Sequence, residues 1–194
     1  MQNIVTGIFG YKGSGKTLLM IILLYIEKQL GKRILVNMKN LNFETELLKA
    51  TDLISLSEKL HGCTIGIDEL HTIADSRKSH GKQNINIANF FLQSRHRGVN
   101  VIYTDQYQSQ DEKRIRENTD IKIIAKNCYI DSDGDGIDDI FEYTIIDVRK
   151  EDESAIKIIK IYGQPFFKYY DDGEIIDIYE QENKHATTKH KKKK

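Results

Sequence analysis

The chain has 194 residues, enough for one domain with a sizeable core. Its 29 basic and 29 acidic residues leave an overall charge that selects no partner; six lysines and no acid fall in 184–194, so 1–183 holds 23 basic against 29 acidic residues. Two isolated cysteines, Cys63 and Cys128, exclude a paired zinc ribbon and argue against a disulfide framework, and the longest apolar run, nine residues over Leu18–Ile26, is too short to cross a bilayer.

In chain order, residues 3–9 read as a short apolar strand that starts without room for a leader peptide, as expected of a soluble intracellular protein. Next come Gly10-Tyr11-Lys12-Gly13-Ser14-Gly15-Lys16-Thr17, a full match to G-x-x-x-x-G-K-[ST]. In such a loop the backbone N–H groups wrap the α/β-phosphates of a nucleotide, Lys16 reaches the β/γ oxygens and Thr17 offers its hydroxyl to Mg²⁺. A buried helix over 16–30 follows and stops at Gly31, its N-terminal dipole favouring the same anion. A second strand is expected at Arg33–Asn37, then short helical patterns around 43–50 and 57–61.

Thr64–Ile67 is an apolar strand that delivers Asp68 and Glu69 at its C-terminal end, the edge that faces the nucleotide in this kind of fold. Asp68 suits Mg²⁺ held through water, and Glu69 suits polarising a water for attack on the γ-phosphate. A polar loop over 71–84 leads to an amphipathic helix near 86–96 that ends in Arg95 and Arg97. These two arginines fit either phosphoryl stabilisation or complementation of the helix dipole. Val99–Thr104 is the next buried strand; Gln106 just beyond it is placed to sense the γ-phosphate or the lytic water. A short charged helix at 110–117 carries Arg116.

Beyond Asp120 the alternation gives way to β segments at Ile121–Ile130, Phe141–Val148 and Ala155–Tyr162, expected as an antiparallel extension. Between the first two lies DSDGDGIDDIFE, with Asp131, Asp133, Asp135, Asp139 and Glu142 at the oxygen-ligand positions of a calcium loop and Gly136 at its sixth position. The same residues also make an Asp- and Gly-rich hairpin turn. The expected domains are therefore 1–183 and a basic tail at 184–194, which is either a disordered basic arm or a solvated extension or cloning remnant.

Taken together, GYKGSGKT, TIGIDE, SRHRGVNVIYTDQ and RIRENTDIKI resemble the FtsK–HerA superfamily of DNA-pumping ATPases over residues 3–126. The likeness is to the compact genome-packaging ATPases of membrane-containing icosahedral viruses, and also to the zonula-occludens-toxin-like ATPases of filamentous phages. It implies an α/β fold, a three-layer P-loop NTPase of RecA/FtsK–HerA type with a mainly parallel sheet. It implies ATP and Mg²⁺ as ligands, with Lys16, Thr17, Asp68, Glu69 and Gln106 in the roles given above and an arginine finger on Arg95, Arg97 or Arg116. It further implies a homo-oligomeric ring, pentamer or hexamer, around double-stranded DNA, near a capsid or portal vertex, in the host cytoplasm or the virion and without membrane insertion. DNA contacts would fall on Arg77, Lys78 and Lys82 of the polar loop and on the lysine tail. Phage-assembly relatives usually carry a membrane segment, which favours packaging here; the phage-assembly ATPase and a small P-loop nucleoside kinase are the alternatives. A nucleotide-dependent switch without turnover is disfavoured by Glu69.

Overall fold

Short apolar strands buried on both faces decide the architecture. The computed structural model describes residues 3–73, 82–106, 113–150 and 156–170, with side chains from Ile85 onward in the second segment. Eight strands form one sheet: β1 Val5–Phe9, β2 Arg33–Val36, β3 Glu46–Leu47, β4 Cys63–Ile67, β5 Asn100–Asp105, β6 Ile121–Asn127, β7 Ile140–Asp147 and β8 Ile156–Tyr162. Their order is β3-β2-β4-β5-β1-β6-β7-β8. All pairs from β3 to β6 are parallel, and β6–β7 and β7–β8 are antiparallel. β6, β7 and β8 make the antiparallel extension expected from the sequence, and β6 also completes the parallel block beside β1.

Successive strand side chains point to opposite faces, and two cores result. On one face Val5, Phe9, Leu35, Ile65, Ile67, Val101 and Tyr103 pack with α2 (Ala50–Ile54), α3 (Lys82–Gln93) and Ile115 of α4 (Lys113–Glu117). Tyr103 is the hub of this side, its ring edge-to-face with Phe9 at 5.8 Å and Phe91 at 5.7 Å. On the other face Ile8, Ile34, Val36, Ile102 and Ile123 meet α1 (Lys16–Gln29), whose Leu18–Ile22 and Leu24 are all buried. Helices on both faces of a mainly parallel sheet make three layers. The helix lies so close to β4 that a Cβ on Gly66 would sit 2.6 Å from Leu24 Cδ1. A short α5 (Gln164–Phe167) follows β8.

Tertiary pairing overrides local propensity between β2 and β4. Where 43–50 looked helical, Glu46-Leu47 pairs with Leu35-Val36, and Glu46 takes a two-pronged ion pair from Arg33. The helix starts instead at Ala50, with Asp52 accepting from Lys49 N at 2.8 Å. No helix forms over 57–61.

Candidate nucleotide site

The order of the strands gathers the site. β5 lies between β1 and β4, so the parallel strands deliver the phosphate loop, Asp105-Gln106 and Asp68-Glu69 side by side at their C-terminal edge.

Gly10–Thr17 turns from β1 into α1. Gly15 stands at φ +84°, and a Cβ there would meet Phe141 at 2.6 Å and Tyr143 Oη at 2.8 Å. Backbone twist and crowding both demand glycine. Tyr143 is buried and donates to Gly15 O at 2.9 Å; burial pushes its phenol well above the usual range, so it stays a donor. Lys16 is buried, and its Nζ donates to Tyr11 O at 3.1 Å, folding the cation back over the loop. Ser14 Oγ is shut off from solvent and has no hydrogen-bond partner. An orphaned hydroxyl and a buried ammonium in one loop are donors that a phosphate group satisfies.

Thr17 Oγ1 donates to Asp68 Oδ1 at 3.0 Å, and Thr104 Oγ1 to the same oxygen at 2.7 Å. The Asn37 side chain fixes the Asp68 backbone from both sides, Nδ2 to Asp68 O at 2.9 Å and Asp68 N to Oδ1 at 2.7 Å. Asp68 and Thr17 are hard oxygen ligands in contact, which fits Mg²⁺ held by one carboxylate, a hydroxyl and phosphate oxygens.

Glu69 has left-handed backbone, φ 51° and ψ 64°, in a residue with a Cβ. Such conformations persist where surrounding structure over-determines them. Here Glu69 N donates to Thr104 Oγ1 at 2.9 Å. Burial raises the Glu69 carboxyl above its ordinary range, with Asp68 and Asp105 adding to the rise and Lys16 and His71 opposing it. Glu69 Oε2 lies 3.3 Å from His71 Nδ1 yet has no aligned hydrogen bond, because that nitrogen addresses Asp105 Oδ1 at 2.9 Å. A carboxylate accepts, so Nδ1 carries the hydrogen. His71 N also donates to Asp105 Oδ2 at 3.0 Å, and Gln106 N to Asp105 Oδ1 at 2.7 Å. Asp105, fully buried, therefore ties the segment after β4 to the end of β5, where Gln106 stands.

The arginines fall elsewhere. Arg95 pairs with Asp120, whose other oxygen accepts Val5 N at 2.9 Å, and Arg97 reaches Leu56 O at 3.0 Å while its carbonyl accepts Gly62 N. Val5, Gly62 and Asp120 mark the starts of β1, β4 and β6, the edge opposite the phosphate loop. Arg116, four residues before Asp120, ends α4 on that side. Within one chain these arginines stand at the edge opposite the phosphate loop, since a crossover helix runs back along the sheet and ends where the next strand starts. Arg95→Ala should lower stability by about 1–2 kcal/mol, because Asp120 is buried and loses its cation, with turnover per folded molecule unchanged. Thermal melts alongside specific activity check this.

Lys82 opens α3 and does not belong to the preceding loop. Arg77, Lys78 and the tail at 184–194 lie outside the described residues. Asp131, Asp133 and Asp135 converge, whereas Glu142 sits on β7 opposite Lys160. Sequence reading missed Asn37, His71, Thr104, Asp105 and Tyr143. For His71 and Asp105 the one available signal was proximity to Glu69 and Gln106.

Phosphate loop, carboxylate strand and intervening strand in a three-layer sheet define the P-loop NTPase class. The chain belongs to the zonular occludens toxin (Zot) family, which matches residues 4–175. Its fold is similar to the N-terminal domain of zonular occludens toxin from Neisseria meningitidis, at 17% identity and TM-score 0.64, covering 88% of this chain and 100% of that one. It is also similar to the genome packaging NTPase B204 from Sulfolobus turreted icosahedral virus 2 in complex with ATP-gammaS, at 16% identity and TM-score 0.55, covering 82% and 98%. B204 from Sulfolobus turreted icosahedral virus, a DNA-packaging ATPase, gives 18% identity and TM-score 0.55 over 81% and 98%. No curated protein sequence matches the chain. The family is the second of the two likenesses drawn from sequence. Among the described residues no helix is long and apolar enough to cross a membrane. That does not separate the two readings, because the neisserial match is itself an N-terminal domain.

Proposed function

We propose that the chain is an ATP-hydrolysing motor that powers phage or viral particle assembly by moving double-stranded DNA, as a ring of five or six copies. One observation carries the ATPase reading: Thr17 Oγ1 touches Asp68 Oδ1 at 3.0 Å with Glu69 next in the chain, so the phosphate-loop hydroxyl, a metal-ligating carboxylate and a raised-pKa carboxyl share one strand edge. Lys16 and Ser14 bind the phosphates, Thr17 and Asp68 hold Mg²⁺, and Glu69 takes the proton from the attacking water. Mg²⁺, when bound there, neutralises charge on the β- and γ-phosphates. Gln106 reports the γ-phosphate to the segment after β4 through Asp105 and His71. Family membership and the fold shared with packaging NTPases support assembly or packaging as the setting, in the host cytoplasm or the virion.

The test is phosphate release from ATP with and without double-stranded DNA, with mass measured in nucleotide. The expected result is Mg²⁺-dependent release, raised by DNA in an assembled species. A monomer that passes phosphate to a nucleoside is a kinase instead. An assembled form indifferent to DNA rejects translocation.

A further inference from the structure

The nucleotide chemistry makes no use of the outer edge of the sheet. β8 ends the strand order, and among the described residues no strand lies beyond it. Ile159 and Ile161 pack toward α1, whereas Ile156, Ile158 and Tyr162 on the other face are 58%, 62% and 45% exposed. A seven-residue edge strand with exposed isoleucines is a template for another strand. Lysines on such an edge discourage indiscriminate pairing, and β8 carries two, Lys157 and Lys160. Two copies of β8 paired isoleucine to isoleucine would set lysine on lysine, which opposes a symmetric edge-to-edge dimer.

The chain also holds the complement of this strand. Residues 157–162 read KIIKIY, and residues 174–179, which lie outside the described residues, read EIIDIY. Isoleucines and tyrosine recur at the same spacing, and an acid stands in place of each lysine. Lysine-isoleucine-isoleucine-lysine reads the same both ways, so a parallel or an antiparallel pairing sets isoleucine on isoleucine and each lysine on a carboxylate. A slip of one residue sets every charge against an isoleucine.

The path of the chain decides which copy supplies the segment. Beyond α5 the chain leads away from β8. Tyr169 stacks on Tyr25 of α1 with ring centroids 4.5 Å apart, its carbonyl accepts Asn42 N at 3.0 Å, and Tyr170 bridges to Leu41 in the β2–β3 connection. β2 and β8 stand six places apart in the sheet, roughly 29 Å at the usual strand spacing. The four residues from Tyr170 to Glu174 span at most about 14 Å. The segment is better placed for a neighbour's edge than for its own.

We propose that β8 is an intersubunit surface that takes residues 174–179 of a second copy of this chain as an added strand. The proposal rests on the ring of copies put forward above and says how neighbours in it are joined. Main-chain hydrogen bonds supply the adhesion, and the side-chain pairs supply the register. Donor and acceptor are different surfaces of one chain, so the contact is head-to-tail and passes from copy to copy until the ring closes. β8 pairs with β7, whose Tyr143 donates to Gly15 O, so the joint stands one strand from the contact that backs the phosphate loop.

The test is the mass of the full chain in a non-hydrolysable ATP analogue, read across charge reversals. Lys157→Glu with Lys160→Glu should shift the assembly to single chains, and so should Glu174→Lys with Asp177→Lys. The four changes together in one chain should restore it. Oxidative cross-linking in a Cys128→Ser background reads the contact directly. Ile158→Cys chains mixed with Ile175→Cys chains should form a disulfide-linked dimer if the added strand is parallel, and with Ile176→Cys chains if it is antiparallel. An assembly that neither reversal moves, or that the fourfold variant does not restore, overturns the proposal. So does a bond closed within one chain carrying both cysteines, because the occupant is then the chain's own segment. An assembly that ignores the reversals leaves the ring standing with its joint elsewhere, whereas single chains in the wild type remove ring and joint together.

Discussion

Glu69→Gln should bind nucleotide like the wild type and turn it over on the order of 10²–10⁴-fold more slowly, the usual contribution of a positioned base. The amide preserves shape, and Lys16, Thr17 and Asp68 stay in place. The same change should make the ligand-free fold more stable, and the sign follows from the direction of the shift. Burial raises the Glu69 carboxyl in the folded state above its unfolded value of 4.5. The folded state thus favours the protonated form, so the group's contribution to stability is fully present below that unfolded pKa. It is lost as pH rises through the folded one, and at neutral pH Glu69 is a net cost. Glu69→Gln removes the cost: its Tm should exceed wild type at pH 7, and the gap should close toward pH 4. Opposite changes in activity and stability mark a residue kept for chemistry. A variant with wild-type turnover removes Glu69 from the catalytic role, and an unchanged Tm gap across pH removes the electrostatic account.

What sequence could and could not show follows from how each residue reaches the site. GYKGSGKT and TIGIDE were legible because strand, loop and helix that make them are contiguous, and their geometry is local. The alternation of β and helical segments gave the three layers for the same reason. Asn37, Thr104 and Asp105 were invisible, since the first follows β2, the other two end β5, and they meet Asp68 or His71 only through the β2-β4-β5 order. Tyr143 reaches Gly15 from 128 residues away. Where the arginines stand is set by topology: Arg95 and Arg97 end the helix that returns the chain to the start of β5. The stretch 43–50 was misread because a two-residue pairing with β2 outweighs its helical pattern.

Lys16→Ala should fail at the step Glu69→Gln completes. The ammonium is the cation that the loop motif directs at the β/γ oxygens, and a hydrogen bond to a charged partner contributes roughly 1.5–3 kcal/mol, so nucleotide affinity should fall by about 10- to 100-fold or more. The fold should survive. Lys16 is buried with Tyr11 O as its nearest acceptor at 3.1 Å, and alanine leaves that carbonyl at the mouth of the loop, where water can reach it once the side chain is gone. Lys16 also opposes the rise in the Glu69 carboxyl, so its removal pushes that group higher still. The double variant separates the two effects. In Lys16→Ala with Glu69→Gln the stability gained at neutral pH should exceed that of Glu69→Gln over wild type, because more of the carboxylate's cost is then relieved, while nucleotide binding stays as weak as in Lys16→Ala alone. Titration with a non-hydrolysable ATP analogue and paired melts read both. Undiminished binding in Lys16→Ala would mean that the loop does not cradle the phosphates. Identical stability gains in the two backgrounds would mean that Lys16 and Glu69 do not feel one another across the site.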